Sequence, residues 1–394
     1  MSPAAEVLTP DFIQHAWRPL HTATLKDNFV HLTWADGTRL QAYSLWLREN
    51  CAAVGIEPQV REGVIDPADL PDPEVLRSVS IGATGALELI WSDTNHSFVH
   101  PGWLYFVAQG HLSVHHGLPA QIAWDAAGLT HPPTLDGKRI LEDLDLQQTW
   151  LGQLVEFGVC RLSKTPANED YLEQLLAHIG PIRSSNFGGT FHVRLSPTPD
   201  STANTGLKLG QHSDLPTRET PPGYQFLHCI ENTVRGGASR LTDGLALVSI
   251  LQREQPAAFD ILTTAQWLFM NRSPTAEHCW QGPIIELPAA GRPLTLRAFY
   301  PVRSAPLMEP DKVPAAYAAL KIFSQYAQDP RLMLQFTLQP GDLLGFDNRR
   351  ILHGREAFAT EGTRHLTGCY IDHDEIYSRL RVLKRPAWNN THAE

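Results

Sequence analysis

A histidine and a carboxylate two residues apart, His212-Ser213-Asp214 in GQHSDLP, are the first sign of chemistry in this 394-residue chain. In extended backbone, side chains at i and i+2 project to the same side, so both could reach one metal ion. With 18 histidines and 22 aspartates in the chain, about one His-x-Asp pair arises by chance, so the pair alone carries no weight. Its company changes that. FDNRRILHGREAF places His353 after an apolar run and a turn, and Arg364 follows eleven residues later in GTRHLTG. Two histidines and one carboxylate form the facial ligand set of non-haem Fe(II) centres, which leaves three metal positions open. An arginine beyond the second histidine suits the far end of a dicarboxylate, through a bidentate pair that lysine makes less well. The hydroxyl of Ser239, in RGGASRLTDG, could share that carboxylate. Taken singly, Arg364 reads as an ion-pair residue and Ser239 as a turn hydroxyl; the set is what points to chemistry. His373, in IDHDE, makes a rival His-x-Glu pair at a polar strand end and reads as a decoy.

The elements that must hold these residues divide the chain. Residues 1–110 read as a β-rich domain. FVHLTWADGTRLQAYSLWL has alternating apolar runs on either side of Asp36-Gly37, a hairpin turn signal, and ALELIWSD alternates again before HPGWL. Residues 111–138, polar and proline-containing, read as a linker. Residues 139–394 follow as the catalytic domain. There LEDLDLQQTWLGQLVEFG predicts a helix running into a buried strand, GVCRL. Asn168 caps a second expected helix, EDYLEQLLAHI, which stops at Gly180-Pro181. Helical spacing recurs over 243–263 and 313–328. RLMLQFTL puts Leu332, Leu334, Phe336 and Leu338 on one face before QPGD turns into LLGFD. The pattern suits an α+β fold whose strands close as a barrel or a sandwich.

Composition narrows the classes. The chain is 42% hydrophobic and 19% charged, and no apolar run nears the roughly 18–20 residues of a membrane span. The opening MSPAAEVLTPDF has neither a basic nor an apolar leader segment, and five scattered cysteines make no disulfide framework. A cytoplasmic location is expected. A net charge of −10 without a Lys/Arg run argues against a nucleic-acid partner, and the expected partner is a small molecule.

The motifs together resemble the γ-butyrobetaine hydroxylase / trimethyllysine hydroxylase branch of the taurine-dioxygenase-like, 2-oxoglutarate-dependent oxygenases. The matching stretches are LWLREN, HPGWL, GQHSDLPTRETPPGYQFLHCI, VRGGASRLTDG, FDNRRILHGRE and TRHLTGCYIDHDEIYSRLRVL, which span nearly the whole chain. The resemblance implies a double-stranded β-helix, or jelly-roll, core behind a small N-terminal β domain. It implies that His212, Asp214 and His353 bind Fe(II), that Arg364 anchors 2-oxoglutarate and that Ser239 matches the family's Ser/Thr partner. With O2, and ascorbate in support, such enzymes release succinate and CO2 as they hydroxylate their substrate. A carboxylate ligand, Asp214, fits hydroxylation better than halogenation. In relatives the N-terminal domain helps to cover the active site or to form a homodimer, and the same is expected here.

Two departures stand out. Relatives hold a structural zinc through a Cys-x-Cys-x-x-Cys cluster after LWLR and a later histidine. Here Cys51 remains, but Ala53 and Ile56 occupy the other cysteine positions, and Asn95 the histidine position with His96 beside it. Four ligands are needed, so no zinc is expected. In the substrate pocket, Phe187, Phe191 and Tyr370 match aromatic cage positions that attract a trimethylammonium cation. Asn204 replaces a further tyrosine, and Ser201, Asn204 and Arg303 are expected at the anionic end. Such an end admits γ-butyrobetaine or a phosphonate such as (2-trimethylammonioethyl)phosphonate. Two alternatives remain: an oxygenase of an amino acid or other amine in a biosynthetic pathway, or a catalytically inactive binding protein.

Overall fold

In a computed structural model, residues 7–52, 54–70, 76–195, 204–289, 293–359 and 361–387 are described. The chain folds as two compact units, Met1–Gly117 with Lys384–Glu394, and Leu118–Leu383. Among the described residues no helix is long and apolar enough to cross a membrane.

The first unit contains two three-stranded antiparallel sheets, Leu20–Lys26, Phe29–Trp34 and Arg39–Tyr43, and Leu76–Ile81, Leu87–Trp91 and His96–Val99. The Asp36-Gly37 turn forms as expected, with Gly37 at φ +85° and Thr38 paired back to Trp34. A second hairpin, unmarked by glycine, turns at Asp27-Asn28, both left-handed at φ 50° and 62°. Trp34, Trp91 and Trp103 are buried in one cluster, with Trp46 stacked on Trp103 at 5.3 Å. The HPGWL motif is a helix start. His100 Nδ1 accepts from the amides of Gly102 and Trp103, and Pro101 occupies the first turn of helix Pro101–Ala108. Gly102 is required because a Cβ there would meet the Ala16 carbonyl oxygen at 1.9 Å. Among the residues aligned with the relatives' zinc ligands, Cys51 and Ile56 are buried apolar groups, while Asn95 donates to Asp93 and His96 pairs with Glu88.

In the second unit, six strands lie in the order Thr134–Asp136, Val159–Ser163, Leu343–Asp347, Tyr224–Asn232, Arg364–Ile371, Thr190–Arg194. Four more run Leu209–His212, Ile351–Arg355, Ser239–Asp243, Met333–Phe336. The two sheets share one apolar cluster, with Val159, Phe346 and Leu366 from the first and Leu241, Leu334 and Ile351 from the second, so they pack face to face. Leu332, Leu334, Phe336 and Leu338 are buried, as the alternation predicts. Helices Leu144–Phe157 and His373–Lys384 cover the outer face of the larger sheet through Trp150, Leu154, Ile376 and Leu380 packed on Tyr224 and Phe226.

Three expectations shift. The helix expected after Asn168 begins at Tyr171, with Asp170 at its cap position, and ends at Leu176; Asn168 instead closes a turn onto Pro166. The 243–263 segment is two helices, Gly244–Glu254 and Pro256–Thr264, because Pro256 breaks the run. The stretch read as a 111–138 linker belongs to the second unit from Leu118 onward. There Trp124 is buried in the shared core, donating its backbone N–H to Asp243 and its indole N–H to Phe157. Asp243 also makes a fully buried two-bond ion pair with Arg350, at 2.7 and 3.0 Å. Losing one partner of such a pair costs roughly 3–5 kcal/mol.

Candidate active site

His212 ends one strand and His353 lies directly opposite it on the neighbouring antiparallel strand, with ring centroids 4.1 Å apart. Asp214 sits just past the strand end, where its backbone is clamped: Asn348 accepts from the Asp214 N–H at 2.7 Å and donates to the Asp214 carbonyl at 3.1 Å. Leu215 next to it has φ +53°, a left-handed conformation that costs a non-glycine residue energy and that surrounding contacts must enforce. Arg297 supplies part of that restraint, donating to the carbonyls of Pro216, Arg218 and Glu219 while paired with Glu286.

Asp214 Oδ1 lies 3.3 Å from His212 Nε2 and 3.7 Å from His353 Nε2, and one ligand atom of each residue lies within 4.8 Å of the others. His212 Nδ1 is 2.9 Å from the Gly210 carbonyl, which can only accept, so that nitrogen carries the proton and Nε2 presents its lone pair to the cluster. Burial pushes His353 down to about 3, which keeps it neutral. Burial alone would raise the Asp214 carboxyl, but the adjacent imidazoles and the Tyr370 hydroxyl, which donates to Oδ2 at 2.7 Å, outweigh it and hold it below the ordinary carboxylate range. A neutral His353, an ionised Asp214 and the His212 Nε2 facing them are donors that suit a divalent cation. The residues fit a metal.

The cluster opens on a cavity of about 510 Å³. Arg364, 7% exposed, lines it, and no hydrogen bond or ion pair to its guanidinium occurs among the described residues. Arg355 lines it too, anchored to the carbonyls of Thr205 and Leu207, and the Phe358 ring lies under both guanidiniums at 4.7 and 5.6 Å. Burial, and for Arg364 also its neighbour Arg355, pushes both arginines down to about 10, so both stay charged at neutral pH. Ser239, directly opposite Arg355, lines the same cavity. An anion is the missing partner.

Phe187, Phe191, Asn204 and Tyr370 line the cavity as well. Phe191 lies 5.3 Å from Tyr370 and 6.2 Å from Phe187, ring to ring, and Phe187 is 44% exposed, so these are wall aromatics rather than core. Gly368 makes room for them: a Cβ there would meet the Phe191 ring at 2.5 Å. Asn204 Oδ1 accepts from the Arg194 N–H. Arg303 is not brought in; its guanidinium lies over Trp267 at 5.3 Å, off the cavity wall. Ser201 lies outside the described residues. His373 begins a helix rather than ending a strand, is buried, and hydrogen-bonds Asp347 at 2.9 Å, a structural role. Sequence reasoning missed Phe299, whose ring lies 4.8 Å from His212, and the wall residues Asn271 and Gln225. For Gln225 the signal was partial: in YQFLHC it alternates with Tyr224 and Phe226 and so faces away from them, but only the structure shows that its side is the cavity side.

Comparison with known proteins agrees with this geometry. Residues 120–370 match the family described as taurine catabolism dioxygenase TauD, TfdA family. The chain is 37% identical over 372 residues to a gamma-butyrobetaine dioxygenase from Pseudomonas sp. (strain AK-1), covering 93% of this chain and 97% of that protein. It is 29% identical over 384 residues to the gamma-butyrobetaine dioxygenase of Homo sapiens, covering 92% and 96%. A mitochondrial trimethyllysine dioxygenase from Rattus norvegicus is 29% identical over 389 residues, covering 92% and 90%.

Proposed function

The chain belongs to the taurine catabolism dioxygenase TauD, TfdA family, in its γ-butyrobetaine / trimethyllysine dioxygenase branch, and from that premise we propose that it hydroxylates a small quaternary-ammonium zwitterion at the buried His212–Asp214–His353 cluster. The enzyme is an Fe(II)- and 2-oxoglutarate-dependent dioxygenase. In this reading the two sheets form a double-stranded β-helix. His212, Asp214 and His353 would hold Fe(II). Arg364 takes the far carboxylate of 2-oxoglutarate, with Ser239 beside it. The chemistry that iron, cosubstrate and O2 supply when bound is oxidative decarboxylation to succinate and CO2 coupled to C–H hydroxylation.

The single observation that carries the reading is Arg364: a buried cation without an anion among the described residues, in the same cavity as two imidazoles and a carboxylate poised for a metal. A dicarboxylate whose other end chelates the metal satisfies both at once. This chain's own groups do the rest. Gly210 fixes the His212 tautomer, Asn348 fixes the Asp214 backbone, and Tyr370 holds the outer carboxylate oxygen. Phe187, Phe191 and Tyr370 present ring faces to a cation that cannot donate hydrogen bonds. Tyr370 therefore joins the substrate wall to an iron ligand. With Arg303 off the cavity, the acid head of the substrate falls to amides such as Asn204, and either a carboxylate or a phosphonate suits them.

Turnover with γ-butyrobetaine, (2-trimethylammonioethyl)phosphonate and the uncharged tert-butyl isostere of γ-butyrobetaine tests the reading. A quaternary ammonium compound should stimulate succinate formation and the isostere should not. Equal stimulation by the isostere would replace the cage with an apolar slot and favour an amine or amino-acid oxygenase. The preferred head group is read from competition between the two zwitterions.

A further inference from the structure

Gln225 is 3% exposed, yet it lines the cavity; its Oε1 is buried without a hydrogen-bond partner, and its Nε2, a donor, makes no hydrogen bond among the described residues. Buried side-chain amides are almost always paired, so an unpaired one facing a cavity implies a partner that comes from outside the chain. The sheet register says where that partner would lie. Gln225 sits directly between Phe346 on one neighbouring strand and Tyr370 on the other. The Phe346 ring lies 4.8 Å from that of His353, and the Tyr370 hydroxyl donates to Asp214. The residues on either side of Gln225 thus each touch a member of the metal-binding cluster, and the amide between them has no protein group to bond. One pleat further along the same face stands Leu227, opposite Gly368, an apolar stretch of wall on the way to Arg364.

We propose that Gln225 is a positioning residue for the cosubstrate: its amide N–H donates to the oxo-acid end of 2-oxoglutarate while Arg364 takes the far carboxylate. The inference rests on the reading of the site as an Fe(II)/2-oxoglutarate centre. An amide suits the task because it binds an anionic oxygen without adding charge beside the metal, and because a 180° flip lets either end face the cavity. A lysine or arginine there would set a second cation against the iron. A carboxylate would repel the cosubstrate.

Anaerobic titration of the Fe(II)-loaded full chain with 2-oxoglutarate, followed by the visible charge-transfer absorption of the chelate, tests this. Gln225→Leu should weaken 2-oxoglutarate binding roughly tenfold, the expected effect of losing one hydrogen bond to a charged acceptor, and shift the absorption band. Gln225→Glu, which keeps the side-chain size, should weaken it further. Fe(II) affinity without 2-oxoglutarate and the melting temperature should match wild type in Gln225→Leu. Wild-type 2-oxoglutarate affinity and an unmoved band in Gln225→Leu would overturn the proposal, as would an equal loss of Fe(II) affinity without 2-oxoglutarate, which would mark Gln225 as packing support for the cluster. If wild type itself formed no chelate band, the site reading would fall first and the inference with it.

Discussion

Glu169, His192 and His365 bring together the same three ligand types as His212, Asp214 and His353, again with ligand atoms within 4.8 Å. Both pairs of imidazoles come from adjacent antiparallel strands. The spacings are alike: Glu169 oxygens lie 4.0 Å from His192 Nε2 and 3.7 Å from His365 Nδ1. The bonds behind the ligands differ. His192 Nδ1 and His365 Nε2 lie 2.9 Å apart, so the rings hydrogen-bond each other. One nitrogen donates and the other accepts. For two neutral rings, the nitrogens facing Glu169 must then be one lone pair and one N–H, whichever way the bond runs. At the inner cluster the Gly210 carbonyl accepts from His212 Nδ1–H, and Nε2 is left free to ligate. The inner carboxylate is also largely enclosed and held by Tyr370, whereas Glu169 is 55% exposed. Ligand type and spacing do not make a metal site by themselves: at the inner cluster the far nitrogen of His212 is tied to a carbonyl and that of His353 is bonded to no protein group among the described residues, so neither ring is locked onto the other.

The largest expected effect breaks the inner cluster. Asp214→Ala should lower Co(II) affinity by more than about a hundredfold in calorimetric titration, beyond the 10–100-fold span of an outer-sphere change. Glu169→Ala should leave the titration unchanged, and loss of a second tight equivalent in that variant would erase the distinction between the clusters. Next is the anion end. Arg364→Gln should raise the KM for 2-oxoglutarate about a hundredfold, the scale of losing a buried charge-assisted pair, with the metal titration unaltered. An unchanged KM would move the cosubstrate elsewhere. Tyr370→Phe keeps the cage ring but removes the bond to Asp214, and should weaken metal binding by roughly tenfold. Little change there would reduce Tyr370 to a wall residue.

A separate effect, on stability rather than on binding, concerns histidines that hold no metal. Burial keeps His100 and His228 neutral down to about 4, whereas an unfolded histidine protonates near 6.5. Between those values the unfolded chain binds more protons. Stability is therefore full above about pH 6.5 and falls toward pH 4, by up to roughly 1.4 kcal/mol per pH unit for each group. Thermal melts of metal-free protein from pH 7 to 5 should show a falling melting temperature. A flat or rising one would contradict the burial argument.

How much of this was legible in the sequence follows from what each feature depends on. His212, Asp214, His353 and Arg364 stand in local motifs, and the structure brings them to one cavity; spacing joined only His212 to Asp214, while residue type and the family resemblance joined the other two. The alternation over Leu332–Leu338 and the Asp36-Gly37 turn are likewise local, set by pleat and by glycine. Helix limits around Asn168 were not legible, because a turn onto Pro166 competes with the cap. Residues 118–138 looked like a linker because prolines and polar residues interrupt them, but strand Thr134–Asp136, backbone bonds from Ile122 and Ala126 and the buried Trp124 dock them. Arg303 was misplaced because a guanidinium over Trp267 and one in a pocket look the same in sequence. The second cluster was invisible: strand pairing brings His192 beside His365, Glu169 reaches them from a turn, and the bond that distinguishes this cluster from the metal site is a property of tautomers.

The most direct test of the central claim is O2-dependent succinate formation as Fe(II) is titrated into the metal-free enzyme, with 2-oxoglutarate and with or without γ-butyrobetaine. The account predicts substrate-stimulated turnover that saturates at one iron per chain, vanishes in His212→Ala and survives in His365→Ala. Turnover that persists in His212→Ala, that needs a second equivalent of iron, or that no quaternary ammonium substrate stimulates would contradict it.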